Sequence, residues 1–174
     1  MAHEKDDTHT LVVGDPTLLR ALNAGVHESL SMCGIVARCV AISAVPAHDR
    51  GDITGLVGVH GQVSGYITLN LADRIALQAV GNLLEEDFRA VTEEVLDGAG
   101  ELTNMLAGAI KRTLSGTPWG FTHMFVPSVI VGREYEIGYA KGFSYLSATF
   151  EHEAGQSILW RERLLQATVA LIRI

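Results

Sequence analysis

Residues 88–114 read FRAVTEEVLDGAGELTNMLAGAIKRTL, and Gly116-Thr117-Pro118 follows directly. Apolar residues recur at helical spacing, which predicts one long helix from about Phe88 to Leu114. The Gly and Pro just beyond it are a stop signal. With about 100° per residue, Val95, Ala99, Leu102 and Leu106 form one apolar stripe that must face a sheet. Asp97, Glu101, Asn104 and Gly108 fall on the opposite side, within about 60° of one another. Glu101 and Asn104 stand three apart, so their side chains emerge together.

A solvated helix face carries the same residue types. Asn, however, is a poor residue for a helix interior, because its amide competes for backbone hydrogen bonds. Gly98, Gly100 and Gly108 lie on the same helix, and each costs roughly 1 kcal/mol against Ala. Tight packing inside the fold accounts for a glycine such as Gly98. Close approach of another protein's backbone is the other reason, and it suits Gly108 on the polar stripe better.

Before this helix, Asp15-Pro16 is a helix start, with an Asp cap and Pro at the first helical position. Leu18, Leu19, Leu22, Val26 and Leu30 follow at helical spacing, and Gly34 ends the segment. Ile35–Val45 reads as a strand and Pro46–Asp52 as a turn. Ile53–Val59 and Val63–Leu69 read as a hairpin with His60-Gly61 at its tip and Asn70 as the break after it. The glycines between Gly55 and Gly65 are assigned to turn chemistry. Leu71–Leu84 returns to helical periodicity. After the long helix come strand-like segments at Phe121–Val131, Phe143–Glu151 and Ile158–Ile174, the last with a possible break near Arg163.

The fold class is therefore α+β: a single domain over 11–174, with a mainly antiparallel sheet packed against helices. Each half is a helix followed by strands, a weak duplication of a helix-plus-three-strands unit. Residues 1–10 are polar and expected to be flexible.

Of 174 residues, 48% are apolar and 19% charged, which is an ordinary globular mix. The net charge of -7, without a basic stripe, argues against nucleic acid as a partner. Cys33 and Cys39 form no C-x-x-C pair and are too few for a disulfide scaffold. The first residues lack the apolar core of a secretory signal, and no apolar run reaches the ~18 residues of a membrane span. A cytoplasmic protein with no membrane partner is the expectation. The seven His are dispersed. His123 reads as structural among apolar neighbours, and Glu151-His152-Glu153 as a solvated strand. No metal site is predicted.

The stretch GELTNMLAG at 100–108 resembles the active-site helix of the CheC/CheX/FliY chemotaxis phosphatases, and VPSVIVGR at 126–133 resembles the strand after it. The family pattern Asp/Ser-x3-Glu-x2-Asn-x22-Pro is met by Asp97, Glu101, Asn104 and Pro127. A bare Glu-x-x-Asn is common by chance; the four positions at these spacings are far more specific. The likeness covers roughly Pro16 to Ile174. Some members carry a second Glu-x-x-Asn on the first helix. Here Asn23 has Arg20 three residues before it, so one site per chain is expected, which is more like CheX than CheC.

The resemblance implies a phosphatase for the phosphoaspartate of a CheY-like response regulator. Asn104 would orient the attacking water, and Glu101 would pair with the receiver's Lys. Asp97, Gly100, Gly108 and Pro127 would support the site. It also implies a homodimer and no cofactor of the protein's own, Mg²⁺ being supplied by the receiver. A binding module that docks a receiver or a flagellar switch component without turnover is the alternative. A third reading is an unrelated α+β protein that binds a divalent metal through Asp97, Glu101 and another carboxylate, and Asn104 in place of His disfavours a tight transition-metal site.

Overall fold

The computed structural model describes residues 14–45, 52–132, 135, 137–138, 141–153 and 159–174. The expected flexible stretch 1–10, nearly all of the turn at 46–52, Arg133 and Ile158 lie outside them.

Helix α1 (Pro16–Met32) starts where Asp15 caps it, with Thr17 N–H donating to Asp15 Oδ1 at 2.8 Å. Trp119 Nε1 donates to the other carboxylate oxygen at 2.8 Å, tying this helix start to the chain beyond the long helix. Burial alone would raise the Asp15 carboxyl. Hydrogen bonds from Trp119 and from the backbone of Thr17 and Leu18 outweigh that and hold it below its ordinary value.

Strand β1 (Ala37–Ser43) follows, then the hairpin β2 (Ile53–Gly61) and β3 (Val63–Leu71). The hairpin is longer than expected. Asn70 does not break it: Asn70 is buried within β3, facing Thr54 across the ladder and donating to its hydroxyl at 2.6 Å. A paired amide is stable inside a sheet where an unpaired one would not be. Helix α2 (Asp73–Leu84) ends at Glu85, which adopts a left-handed conformation.

Helix α3 (Glu93–Leu114) starts five residues later than its periodicity predicts. Thr92 caps it through a hydrogen bond to Val95 N–H, and Phe88 and Val91 pack on the core ahead of it. The expected single strand at Phe121–Val131 is two, β4 (Phe121–Met124) and β5 (Ser128–Val131), both antiparallel to β2. Strand β6 (Ser144–His152) and, after a 3-10 turn at Trp160–Arg163, strand β7 (Leu164–Arg173) complete the chain. Among the described residues the expected segment at Ile158–Ile174 thus holds one strand, which begins just after Arg163 and not before it.

Neighbouring strands run β1-β6-β7-β3-β2-β4, with β5 also on β2, and every pairing is antiparallel. The order is symmetric about the β7/β3 pair. Each half lends its first strand to the other: β1 pairs β6, while β4 and β5 pair β2. The duplication is thus a strand-exchanged one. Helix α1 packs against β6 and β7, α3 against β2 and β3, and the two helices pack on each other. Phe150, Leu22, Ile67, Leu102 and Leu106 are among the large side chains sealed between these elements.

Gly55 and Thr103 set how closely α3 rides on the sheet. A Cβ at Gly55 would lie 1.8 Å from Thr103 Oγ1. Glycine here serves close packing, not a turn. Gly55→Ala should cost about 1–3 kcal/mol of stability through overpacking, measured by urea denaturation. An unchanged midpoint would refute this account of the contact.

Candidate functional site

Helix α3 divides its residues as predicted. Val95, Ala99, Leu102 and Leu106 are buried against the sheet and neighbouring helices. On the other side, Asp97 and Glu101 are exposed, while Asn104 and Gly108 are half-buried. Thr103, between Glu101 and Asn104 in sequence, is fully buried and donates to Ala99 O at 2.8 Å. Its anchoring on Gly55 fixes the helix rotation, which keeps Glu101 and Asn104 facing outward. Sequence reasoning missed Thr103; the glycine in β2 opposite it was the available signal.

No hydrogen bond or ion pair among the described residues engages the side chains of Asp97, Glu101 or Asn104. Their polar atoms are available to a ligand or partner. Lys111 and Arg112, further along α3, are committed: Lys111 Nζ donates to Thr122 O at 2.6 Å, and Arg112 pairs with Glu28.

Beside the polar stripe runs the β4–β5 segment. At one end, Pro127 and Val129 lie against Gly100, 3.4–3.6 Å from where a Cβ would stand. At the other, Gly108 and Lys111 line a shallow cavity with Thr122 and Met124. Asn104 sits one turn from each glycine, so the segment flanks it. Between the strands, three residues, Phe125–Pro127, span what Val57 and Gly58 span on β2, which is a bulge. Proline has no N–H to give a ladder and tolerates this place. Phe125 N–H still donates to Gly58 O at 2.9 Å. Phe125 and Val126 are 60% and 87% exposed. Sequence reasoning missed both by reading an unbroken strand, although Pro127 marked the bend.

Other sequence readings are corrected. His123 is exposed, not set among apolar residues; its Nδ1 lies 2.9 Å from Thr122 Oγ1. His152 is not on a solvated strand: it is 3% exposed and its Nδ1 donates to Val36 O. Glu151 pairs with Arg38 and Arg163. Among the described residues, no three His, Cys, Asp or Glu side chains gather as a metal site. No described helix is long and apolar enough to cross a membrane.

The family model described as chemotaxis phosphatase CheX matches residues 53–151, more than half of the chain. The protein belongs to the CheX family. A search of curated proteins by sequence finds no match. Among solved structures, CheX from Vibrio vulnificus is 26% identical with a TM-score of 0.70, covering 90% of this chain and 97% of that one. A CheC-like superfamily protein from Shewanella sp. PV-4 is 22% identical with a TM-score of 0.75, over 90% and 98%. The CheX of a CheX–CheY–BeF3–Mg²⁺ complex from Borrelia burgdorferi is 21% identical with a TM-score of 0.66, over 90% and 96%. The likenesses under 25% identity establish the shared α+β fold, and the segment matched by the family model contains Asp97, Glu101, Asn104 and Pro127.

The helix glycines separate by surroundings. A Cβ at Gly98 would fall 2.5 Å from Val80 Cγ1, whereas at Gly108 it would meet only Arg112 Nη1 at 3.7 Å. Gly108→Ala should therefore raise stability by up to about 1 kcal/mol, and Gly98→Ala should lower it. Thermal or urea denaturation checks both; a destabilised Gly108→Ala would contradict the open surroundings.

Proposed function

We propose that this CheX-family protein hydrolyses the aspartyl phosphate of a CheY-like receiver domain through Glu101 and Asn104. The observation that carries the reading is their shared outward stripe on α3, with the polar atoms of both unengaged. The Borrelia relative solved together with CheY, BeF3 and Mg²⁺ supports the choice of partner.

An acyl phosphate needs little covalent help to react with water. The receiver supplies its own Mg²⁺ and Lys, and this chain contributes no cofactor. What remains is to place a water in line with the scissile P–O bond. The Asn104 amide can both accept and donate without changing protonation. The water oxygen attacks phosphorus, the bond to the aspartyl oxygen breaks, and the products are a free carboxylate and inorganic phosphate, which takes the water's proton. Glu101 pairs with the receiver's Lys and seats the helix over the phosphate. Asp97 adds an acidic rim contact one turn earlier. Pro127 shapes the adjoining wall by its contact with Gly100, and Gly108 leaves room for the partner's backbone. The setting we assign is the cytoplasm, where no DNA or membrane contact is required of this chain.

We also assign a homodimer. Positions 38–42 of edge strand β1 are all exposed, and they include Val40 and Ile42. An apolar strand edge of this kind pairs readily with another.

Three measurements test these assignments. Asn104→Ala should fold normally and lose about a hundredfold in phosphate release from a phosphorylated receiver, or about 2.7 kcal/mol. Glu101→Ala should weaken docking by roughly ten- to hundredfold, as expected for a charged hydrogen bond. Folded variants as active as wild type would remove the mechanism, and receiver binding without turnover would favour the non-catalytic module. Sedimentation should show a dimer at micromolar concentration; a monomer would remove that assignment.

A further inference from the structure

The bulge at Phe125–Pro127 has a role that the hydrolytic pair does not explain. A regular strand opposite Val57 and Gly58 would need two residues, and here there are three. The extra residue takes Val126 out of the ladder, and it becomes the most exposed large apolar side chain among the described residues, at 87%. Phe125 beside it is 60% exposed. Leaving two adjacent apolar side chains in water forfeits burial energy that a regular strand would keep.

The shoulder is firmly held. Strands β4 and β5 pair with β2 on either side of it, Phe125 N–H donates to Gly58 O, and the Phe125 ring lies over Gly58 on the sheet face opposite the one where Gly55 meets α3, which leaves Val126 as the apolar side chain next to Pro127. Pro127 rests on Gly100, one turn from Asn104 and adjacent in sequence to Glu101. Val126, next to Pro127, therefore borders the surface that a body reaching both Glu101 and Asn104 would cover. The segment from Met124 to Val131 has no charged residue, while the neighbouring helix stripe carries Asp97 and Glu101. The composite surface is an acidic stripe bordered by an apolar ridge. A matching partner presents a cation flanked by an uncharged apolar patch.

We infer that Val126 forms the specificity-determining shoulder for the receiver domain, packing on the apolar surface beside its active centre. The inference rests on the proposed reading of Glu101 and Asn104, with the same occupant. Val126 touches none of the reacting atoms, so its effect belongs to binding and not to the chemical step.

Val126→Ser removes the apolar contact without adding charge, and its exposure leaves the fold undisturbed. Its affinity for a receiver domain loaded with beryllofluoride and Mg²⁺, measured by titration calorimetry, should fall about tenfold. KM for the phosphorylated receiver should rise to match, with kcat unchanged. Val126→Ile should bind like wild type, and so should Ile174→Ser, which alters a 77%-exposed apolar residue at the far end of the described chain. Wild-type affinity in Val126→Ser, with turnover intact in the parent, would overturn the shoulder and leave hydrolysis standing. A parent that binds but does not hydrolyse, with Val126→Ser weakened, would overturn hydrolysis and uphold the shoulder. A parent that does not bind the loaded receiver would overturn both.

Discussion

The contact of Thr103 with Gly55 governs how the surface of α3 is presented. A helix lying on a sheet can roll, and an apolar stripe about 100° wide tolerates some rotation without losing much burial. A buried β-branched side chain seated over a glycine narrows that freedom, because protein interiors leave few gaps to roll into. Thr103 Oγ1 also satisfies itself on Ala99 O, so the hydroxyl is buried without an orphaned donor. The consequence lies on the other side of the helix. Glu101 and Asn104 are placed outward by a residue that never reaches the surface.

The strand-exchanged duplication explains how such a placement stays rigid. Were each half to keep its own three strands, the halves could separate along the β7/β3 seam. Because β1 pairs β6 and β4–β5 pair β2, neither half has a complete sheet without the other. The α1–α3 contact adds a second seam: a Cβ at Gly25 would lie 2.9 Å from Ile110 and 3.1 Å from Leu106. The two halves have nonetheless diverged at the surface. On α1, Asn23 is preceded by Arg20 in place of an acid, and both are exposed. A guanidinium cannot take the role proposed for Glu101, since it would repel the receiver's Lys.

Much of this was legible in the sequence. The two faces of α3, the Asp15 cap, the hairpin and the antiparallel class follow from periodicity and capping chemistry, which act locally. What stayed hidden depended on distant partners. Asn70 looks like a strand breaker until Thr54 stands opposite it to take its amide proton. The start of α3 shifted because Thr92 caps more strongly than the apolar rhythm of Phe88 and Val91 propagates. The bulge was invisible because one extra residue in a β-rich run leaves the alternation almost intact, and only Pro127 signalled it. The surroundings of Asp97, Glu101 and Asn104 likewise came from the packing of β4 and β5 rather than from the helix itself.

On the proposed reading the partner brings the reactive centre, and this chain brings Glu101 and Asn104 to it. The charges are divided accordingly. The receiver holds phosphate, Mg²⁺ and Lys together, and this chain adds one carboxylate and one neutral amide. A second cation from this side would compete with the receiver's own for the phosphate, and Lys111 and Arg112 are tied to Thr122 and Glu28. A neutral amide at the water also avoids placing a further negative charge beside an anionic phosphoryl group, where a carboxylate would be repelled. The acid is useful only at the rim, against the receiver's Lys, and Glu101 is the more exposed of the pair. The difference in burial between Glu101 and Asn104 thus follows the difference in their proposed tasks.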